Sequence, residues 1–98
     1  LHTIVIRYYN QKTYGQSVLL KVIDWDKKGQ KVTESTKIDT AYNMWRNITW
    51  YGNGNKKKFY THKRLGLEGK YTEWFFSGEK RCEGLMRHDK MDGKWFFW

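Results

Sequence analysis

The chain has 98 residues and a net charge of +9, with six tryptophans, seven tyrosines, five phenylalanines, nine glycines, no proline and one cysteine. This composition excludes a disulfide scaffold, because Cys82 has no second thiol, and excludes a spanning helix, because the longest interior apolar run is Val18-Leu19-Leu20. It implies one small domain packed by aromatic rings rather than small aliphatics, with glycine making the turns and an acidic partner: nucleic acid, an anionic membrane or an acidic protein.

In chain order, residues 1–16 carry the run His2-Thr-Ile-Val-Ile-Arg-Tyr-Tyr9 and are expected to form an N-terminal β cap with a strand over 2–9. Strands are expected over 17–25, 31–37, 46–51, 56–62, 70–76, 79–86 and 94–98, because polar and apolar residues alternate with period 2 and β-branched and aromatic residues dominate. Asp39–Arg46 also admits a short helix, with Asp39 or Thr40 as N-cap. Each outgoing strand ends in Trp-x-x-x-Gly, at Trp25-Gly29, Trp50-Gly54 and Trp74-Gly78. The glycine supplies φ > 0 for a tight turn, and Asn53-Gly54 and Ser77-Gly78 are hairpin signals.

These elements form a repeat of about 24 residues. The spacings Trp25–Trp50 and Trp50–Trp74 are 25 and 24 residues, and a further 24 reaches Trp98. Gly69-Lys70 and Gly93-Lys94 open equivalent segments, and a lysine follows each turn glycine by two residues, at Lys31, Lys56 and Lys80. The units are 17–42, 43–66, 67–90 and a partial 91–98. The one-residue insertion between Gly29 and Trp50 should appear as a bulge or a longer loop. The expected architecture is an all-β antiparallel meander of about eight strands in sequential hairpins. The chain begins at Leu1 rather than Met and reaches Trp98 within a unit, so a fragment or a chain with disordered ends is expected.

If every hairpin joins in the same register, Trp25, Trp50, Trp74 and Trp98 form a row on one face, with Ile23, Ile48, Thr72 and Phe96 two residues before them. Their expected role is packing between units. The opposite face is expected to carry Tyr51, Phe75 and Phe97 with Asn47, Tyr71 and Trp95. One face is expected to be covered by the N-terminal strands and the other to meet a partner. Aromatic anchors dominate interface energies, so Tyr51, Tyr71, Phe75 and Phe97 are the candidate partner-binding residues.

The segments Gly69-Lys-Tyr-Thr-Glu-Trp-Phe-Phe-Ser-Gly-Glu-Lys80 and Gly93-Lys-Trp-Phe-Phe-Trp98 resemble MORN repeats, in particular the bacterial variant with the pattern Gly-Lys-Trp-x-x-Tyr-Tyr-x-x-Gly-Lys. The resemblance is good over 67–98, fair over 45–66, weak over 17–44 and absent before 17. It implies an elongated hairpin array without a catalytic centre, making protein–protein or phospholipid contacts. Bacterial chains of this kind are often antitoxin or immunity components, so it also implies a toxin as protein partner. Two departures fall in the second unit. The Gly-Lys start is replaced around Asn43–Arg46, and Gly52 stands where Phe76 stands in the next unit.

No pattern of nucleophile and base, paired carboxylates or metal ligands is present around Cys82, His2, His62 or His88, so no catalytic, cofactor or metal site is expected. His88-Asp89 reads as a solvated turn. From Thr40 to Leu67 there is no acidic residue, while Arg46, Lys56, Lys57, Lys58, Lys63 and Arg64 are basic. This tract suits an anionic phospholipid or nucleic acid. A protein partner is the leading expectation and an anionic ligand at 46–64 the alternative; the localisation expected is cytoplasmic.

Overall fold

A computed structural model describes residues 2–9, 18–39, 44–64 and 66–98. Eight strands follow one another in chain order: β1 (His2–Tyr9), β2 (Val18–Trp25), β3 (Lys31–Asp39), β4 (Met44–Trp50), β5 (Lys56–Lys63), β6 (Gly66–Trp74), β7 (Lys80–Arg87) and β8 (Lys90–Phe97). They form one sheet in the order β1-β2-β3-β4-β5-β6-β7-β8, and every neighbouring pair is antiparallel. The expected meander is therefore the fold. The short-helix reading is overturned for Asp39 and Met44–Arg46, which end one strand and begin the next; residues 40–43 lie outside the described residues.

The repeat is written into the turns. Asp26 N–H donates to Gln30 O at 2.9 Å and Gly29 N–H to Asp26 O at 3.1 Å. The same pair of bonds recurs at Tyr51–Asn55 with Gly54, and at Phe75–Glu79 with Gly78. Each is a three-residue loop whose last member is a glycine, with φ of 82° at Gly29, 90° at Gly54 and 100° at Gly78. Gly52 leaves this geometry intact because its position does not require a particular side chain. The opposite ends of the hairpins are closed differently. His88 and Asp89 form a two-residue loop with φ of 49° and 67° between the paired residues Arg87 and Lys90.

A register shift accompanies the tryptophan before each three-residue turn, between Asp24 and Trp25, Thr49 and Trp50, and Glu73 and Trp74. A second set lies at the other end of the hairpins. There Gly69 and Gly93 take φ of 92° and 69°, beside shifts at Tyr60/His62 and Glu83/Leu85. The second unit has Trp45 at the equivalent position. There the irregularity moves to the facing strand, between Lys37 and Asp39, and regular pairing resumes at Lys37↔Trp45. The departure from Gly-Lys in this unit thus displaces the bulge without breaking the array.

Successive hairpins are tied at both ends. Tyr51 Oη donates to Trp74 O at 2.8 Å, and Asn53 Nδ2 and Asn55 Nδ2 donate to Phe76 O at 2.9 and 3.0 Å. At the other end Asp89 N–H donates to Leu67 O at 2.9 Å, while Leu67 N–H donates to Asp89 Oδ1 at 3.1 Å. His88 N–H donates to a Glu68 carboxylate oxygen at 2.8 Å.

The sheet is a single layer among the described residues. Its extents are 47 × 38 × 19 Å and its radius of gyration is 15.2 Å, whereas a compact chain of this length has about 12.5 Å. Among the described residues only Ile23, Cys82, Asn47 and Thr72 are buried. Cross-strand pairs and the stems of long charged side chains therefore do the work of a core. Strand β1 joins edge-on beside β2 and covers neither face; residues 10–16 of the expected cap lie outside the described residues.

Candidate functional site

Directly paired residues of an antiparallel sheet point to the same side, so the register sorts the side chains into two faces. Ile4, Ile23, Glu34, Ile48, Phe59, Thr72, Glu83 and Phe96 form one continuous row across all eight strands. The tryptophans lie two residues further along on this face, as expected from the alternation. They are not in mutual contact. Identical hairpin positions lie two strands apart, about 10 Å, and the intervening strand contributes a lysine. The pairs are Trp25↔Lys31, Trp50↔Lys56 and Trp74↔Lys80. Lys31 Nζ sits 5.7 Å from both the Trp25 and the Trp50 ring centres, and Lys56 Nζ sits 5.8 Å from that of Trp74. The expected tryptophan column is a ladder of alternating indoles and ammonium groups, bound by cation–π attraction.

Charge follows the same division. Lys21, Lys31, Arg46, Lys56, Lys70, Lys80 and Lys94 share the ladder face with Glu34 and Glu83. Glu34 is bracketed by Lys21 at 3.7 Å and Lys31 at 3.4 Å, and Glu83 by Lys70 at 3.1 Å and Lys80 at 2.9 Å. Phe59 occupies the matching position in the middle unit. Further out, Arg87 and Asp92 pair at 3.8 Å.

The other face pairs Lys37 and Lys58 with Asp24 and Glu73 in its rows, and two further cations reach it from the bulges: Arg81, 4.0 Å from Glu73, and Lys57, which lines the same hollow as Lys58 and Tyr60. Its distinguishing feature is a run of rings. Tyr60 lies 6.3 Å from Tyr71, Tyr71 lies 5.7 Å from Trp95, and Trp95 is stacked on Phe97 at 6.1 Å. Trp95 lies directly over Gly84, where a Cβ would come within 2.3 Å of its ring, and its Nε1–H donates to Leu85 O at 3.0 Å. Glu73 sits beneath this run. Tyr71 Oη donates to Glu73 Oε1 at 2.7 Å, Cys82 Sγ donates to Oε2 at 3.5 Å, and Lys58 Nζ stands at 3.6 Å. Burial would raise the Glu73 carboxyl, but these donors hold it below the usual carboxylate range. Burial first, then the neighbouring carboxylate, pushes the Tyr71 phenol and the Cys82 thiol up. Beside the run, a shallow hollow is lined in part by Thr33, Thr49, Lys58, Tyr60 and Tyr71. Asn47 is buried at its margin and accepts a hydrogen bond from Ser35 Oγ at 2.7 Å.

This arrangement separates the four candidate partner-binding residues into two pairs. Tyr71 and Phe97 belong to the ring run. Phe97 stands opposite Cys82, in line with Thr49 and Glu73. Tyr51 and Phe75 lie one residue beyond β4 and β6, in the turns. Tyr51 is occupied in joining units, its ring 5.3 Å from Phe76 and its hydroxyl on Trp74 O. Tyr60 and Trp95 complete the run. Tyr60 was legible only as part of the basic tract, because its pairing with Tyr71 depends on the β5–β6 register.

The tract 46–64 does not form one patch. Arg46 and Lys56 point to the ladder face, Lys57 lies over the Tyr51 ring at 5.6 Å, and Lys58 faces the ring run and Glu73. Lys63 ends β5 and Arg64 follows it, about 23 Å or more from Lys56 at the rise of a strand. A charge run in a strand is divided by the period-2 alternation whatever its length in sequence.

The carboxylates give the array an acid limit. Hydrogen bonds from the Thr3 and Thr33 hydroxyls, both 2.6 Å, hold the Asp24 carboxyl low. The His88 N–H does the same for Glu68, and Lys80 and Lys70 for Glu83. A carboxyl lowered in the folded state contributes stability that is present above its unfolded pKa and is lost as pH falls through the folded value. Urea midpoints should therefore be level from neutrality to about pH 5 and fall below about pH 4. Asp24→Ala should have a shallower fall than the parent; an acid fall unchanged by this substitution would contradict the assignment to Asp24.

Comparison of the chain with protein-family models, curated proteins and solved structures found no match.

Proposed function

We propose that the chain is a non-catalytic binding module, a MORN-like hairpin array that recognises a protein partner on the face carrying Tyr60, Tyr71, Trp95 and Phe97. The observation that carries this reading is the unbroken ring run, ending at Phe97, which is 67 % exposed. A cluster of aromatic anchors suits the centre of a protein interface, with charged side chains at its rim. The resemblance of 67–98 to bacterial MORN-type repeats supports an antitoxin or immunity role, with a toxin as the partner.

The test is affinity capture from the source cell followed by titration of the captured protein. Phe97→Ala should weaken the complex by at least tenfold, as expected for an exposed aromatic anchor, while leaving the melting curve close to the parent's because the ring is mostly in solvent. Raising the salt should change the affinity only modestly. A captured partner that binds Phe97→Ala and Tyr71→Phe/Phe97→Ala as tightly as the parent would overturn the assignment of this face.

A further inference from the structure

We propose that the opposite, ladder face binds single-stranded nucleic acid, the strand running across the β-strands along Lys31, Lys56 and Lys80 towards Phe96 and Trp98. Three features of the face converge on this ligand.

The first is periodic charge. The three ladder lysines come from one position of successive hairpins, so they recur about every 10 Å along a line perpendicular to the strands. Lys31 and Lys56 are held against indole rings, which limits the side-chain freedom that a phosphate contact would otherwise have to freeze. The second is where neutralisation is missing. Glu34 and Glu83 each lie between two lysines, but in the middle unit Phe59 takes that place. The centre of the ladder, at Lys56 and Arg46, therefore lacks a carboxylate of its own hairpin in that row, and Glu83 in the next hairpin is bonded to Lys70 and Lys80.

The third feature selects the form of the nucleic acid. At the β8 edge Phe96 and Trp98 are 51 % and 62 % exposed and stacked on each other, with ring centres 6.3 Å apart and planes at 28°. Lys94 Nζ lies 5.5 Å from the Phe96 ring centre. An exposed aromatic pair beside a cationic track is what an unpaired base stacks on while its phosphates follow the charges. A duplex keeps its bases stacked internally, and an acidic peptide brings only charge; neither makes use of Phe96 and Trp98.

The experiment measures anisotropy of a labelled oligothymidylate of about 12 nucleotides, a length that common single-strand sites accommodate. It is titrated with the parent and three variants across a salt series. Lys31→Gln/Lys56→Gln/Lys80→Gln keeps the stems over the indoles and removes the charges. Lys27→Gln/Lys28→Gln/Arg64→Gln removes the same charge from exposed turns. Phe96→Ala/Trp98→Ala removes the stacking pair. Circular dichroism checks that each variant is folded. The ladder variant should lose at least tenfold in affinity, and its log–log salt slope should shrink by about 2, as expected for three lost phosphate contacts on a single strand. The turn variant should lose about threefold or less, and the aromatic variant about tenfold.

Equal losses from the two charge variants would overturn the proposal, as would no binding of the oligonucleotide. So would tighter binding to a duplex, to phosphatidylserine vesicles or to polyglutamate than to the single strand. None of these outcomes bears on the ring face, which is read by Phe97→Ala against the protein partner.

Discussion

Trp74→Ala should destabilise the array by about 3 kcal/mol or more, in the range of large-to-small aromatic replacements at packed sites, and Trp98→Ala by about 1 kcal/mol or less. Both residues occupy the same position of the repeat, so the difference comes from their neighbours alone. Trp74 sits half-buried among Lys56, Phe59, Thr72, Lys80 and Glu83, with the Lys56 ammonium over its ring and hairpins on both sides. Trp98 follows the edge strand, is 62 % exposed and packs chiefly against Phe96. Repeat arrays are held by neighbour interfaces, so removing the Trp74 ring loosens contacts with hairpins on both sides, whereas the Trp98 ring packs on one side only. Urea melts of the two variants measure the contrast, and equal midpoints would show that the ladder contributes nothing between units.

Gly84→Ala should cost about 2–3 kcal/mol although it adds a single methyl group. That methyl would stand 2.3–2.5 Å from three atoms of the Trp95 ring, a distance no side-chain adjustment of alanine can relieve. Trp95 would have to leave its seat, giving up the Tyr71 and Phe97 contacts and the hydrogen bond to Leu85 O. A double-mutant cycle isolates the cause. In a Trp95→Ala background the obstruction is gone, so Gly84→Ala should become close to neutral, and the coupling between the two sites should approach the full cost of the single change. Additive costs would place the damage elsewhere. The single variant should also weaken the protein complex, because it dislodges the middle of the ring run.

Strand positions and turns were legible in the sequence because they depend on local chemistry. Period-2 alternation found all eight strands but started β6 and β8 four residues late, at 70 and 94 rather than at Gly66 and Lys90, because Gly69 and Gly93 read as segment starts and are bulge residues inside the strands. The Trp-x-x-x-Gly spacing placed three turns with identical hydrogen bonds at Gly29, Gly54 and Gly78. The alternation also put Trp25, Trp50, Trp74 and Trp98 on one side without knowledge of the pairing. What lay between them required the register. An inserted lysine, a tyrosine run built from Tyr60, Tyr71 and Trp95, and a glycine hollowed to receive an indole all arise between residues far apart in sequence. One bulged residue moves each such pairing.

The same reason explains why the basic tract 46–64 was legible only as composition. Alternation and strand length split it between two faces and two ends, and only pairing with β3 and β6 shows which cations join those of other units. The sequence by itself determined the meander, its repeat and its excess of positive charge, since each follows from local backbone preference or simple counting. Tertiary structure alone decided that the lysines of successive units line up with the tryptophans while Tyr60, Tyr71, Trp95 and Phe97 meet on the other side, because a side chain's face and neighbours are set by strand register.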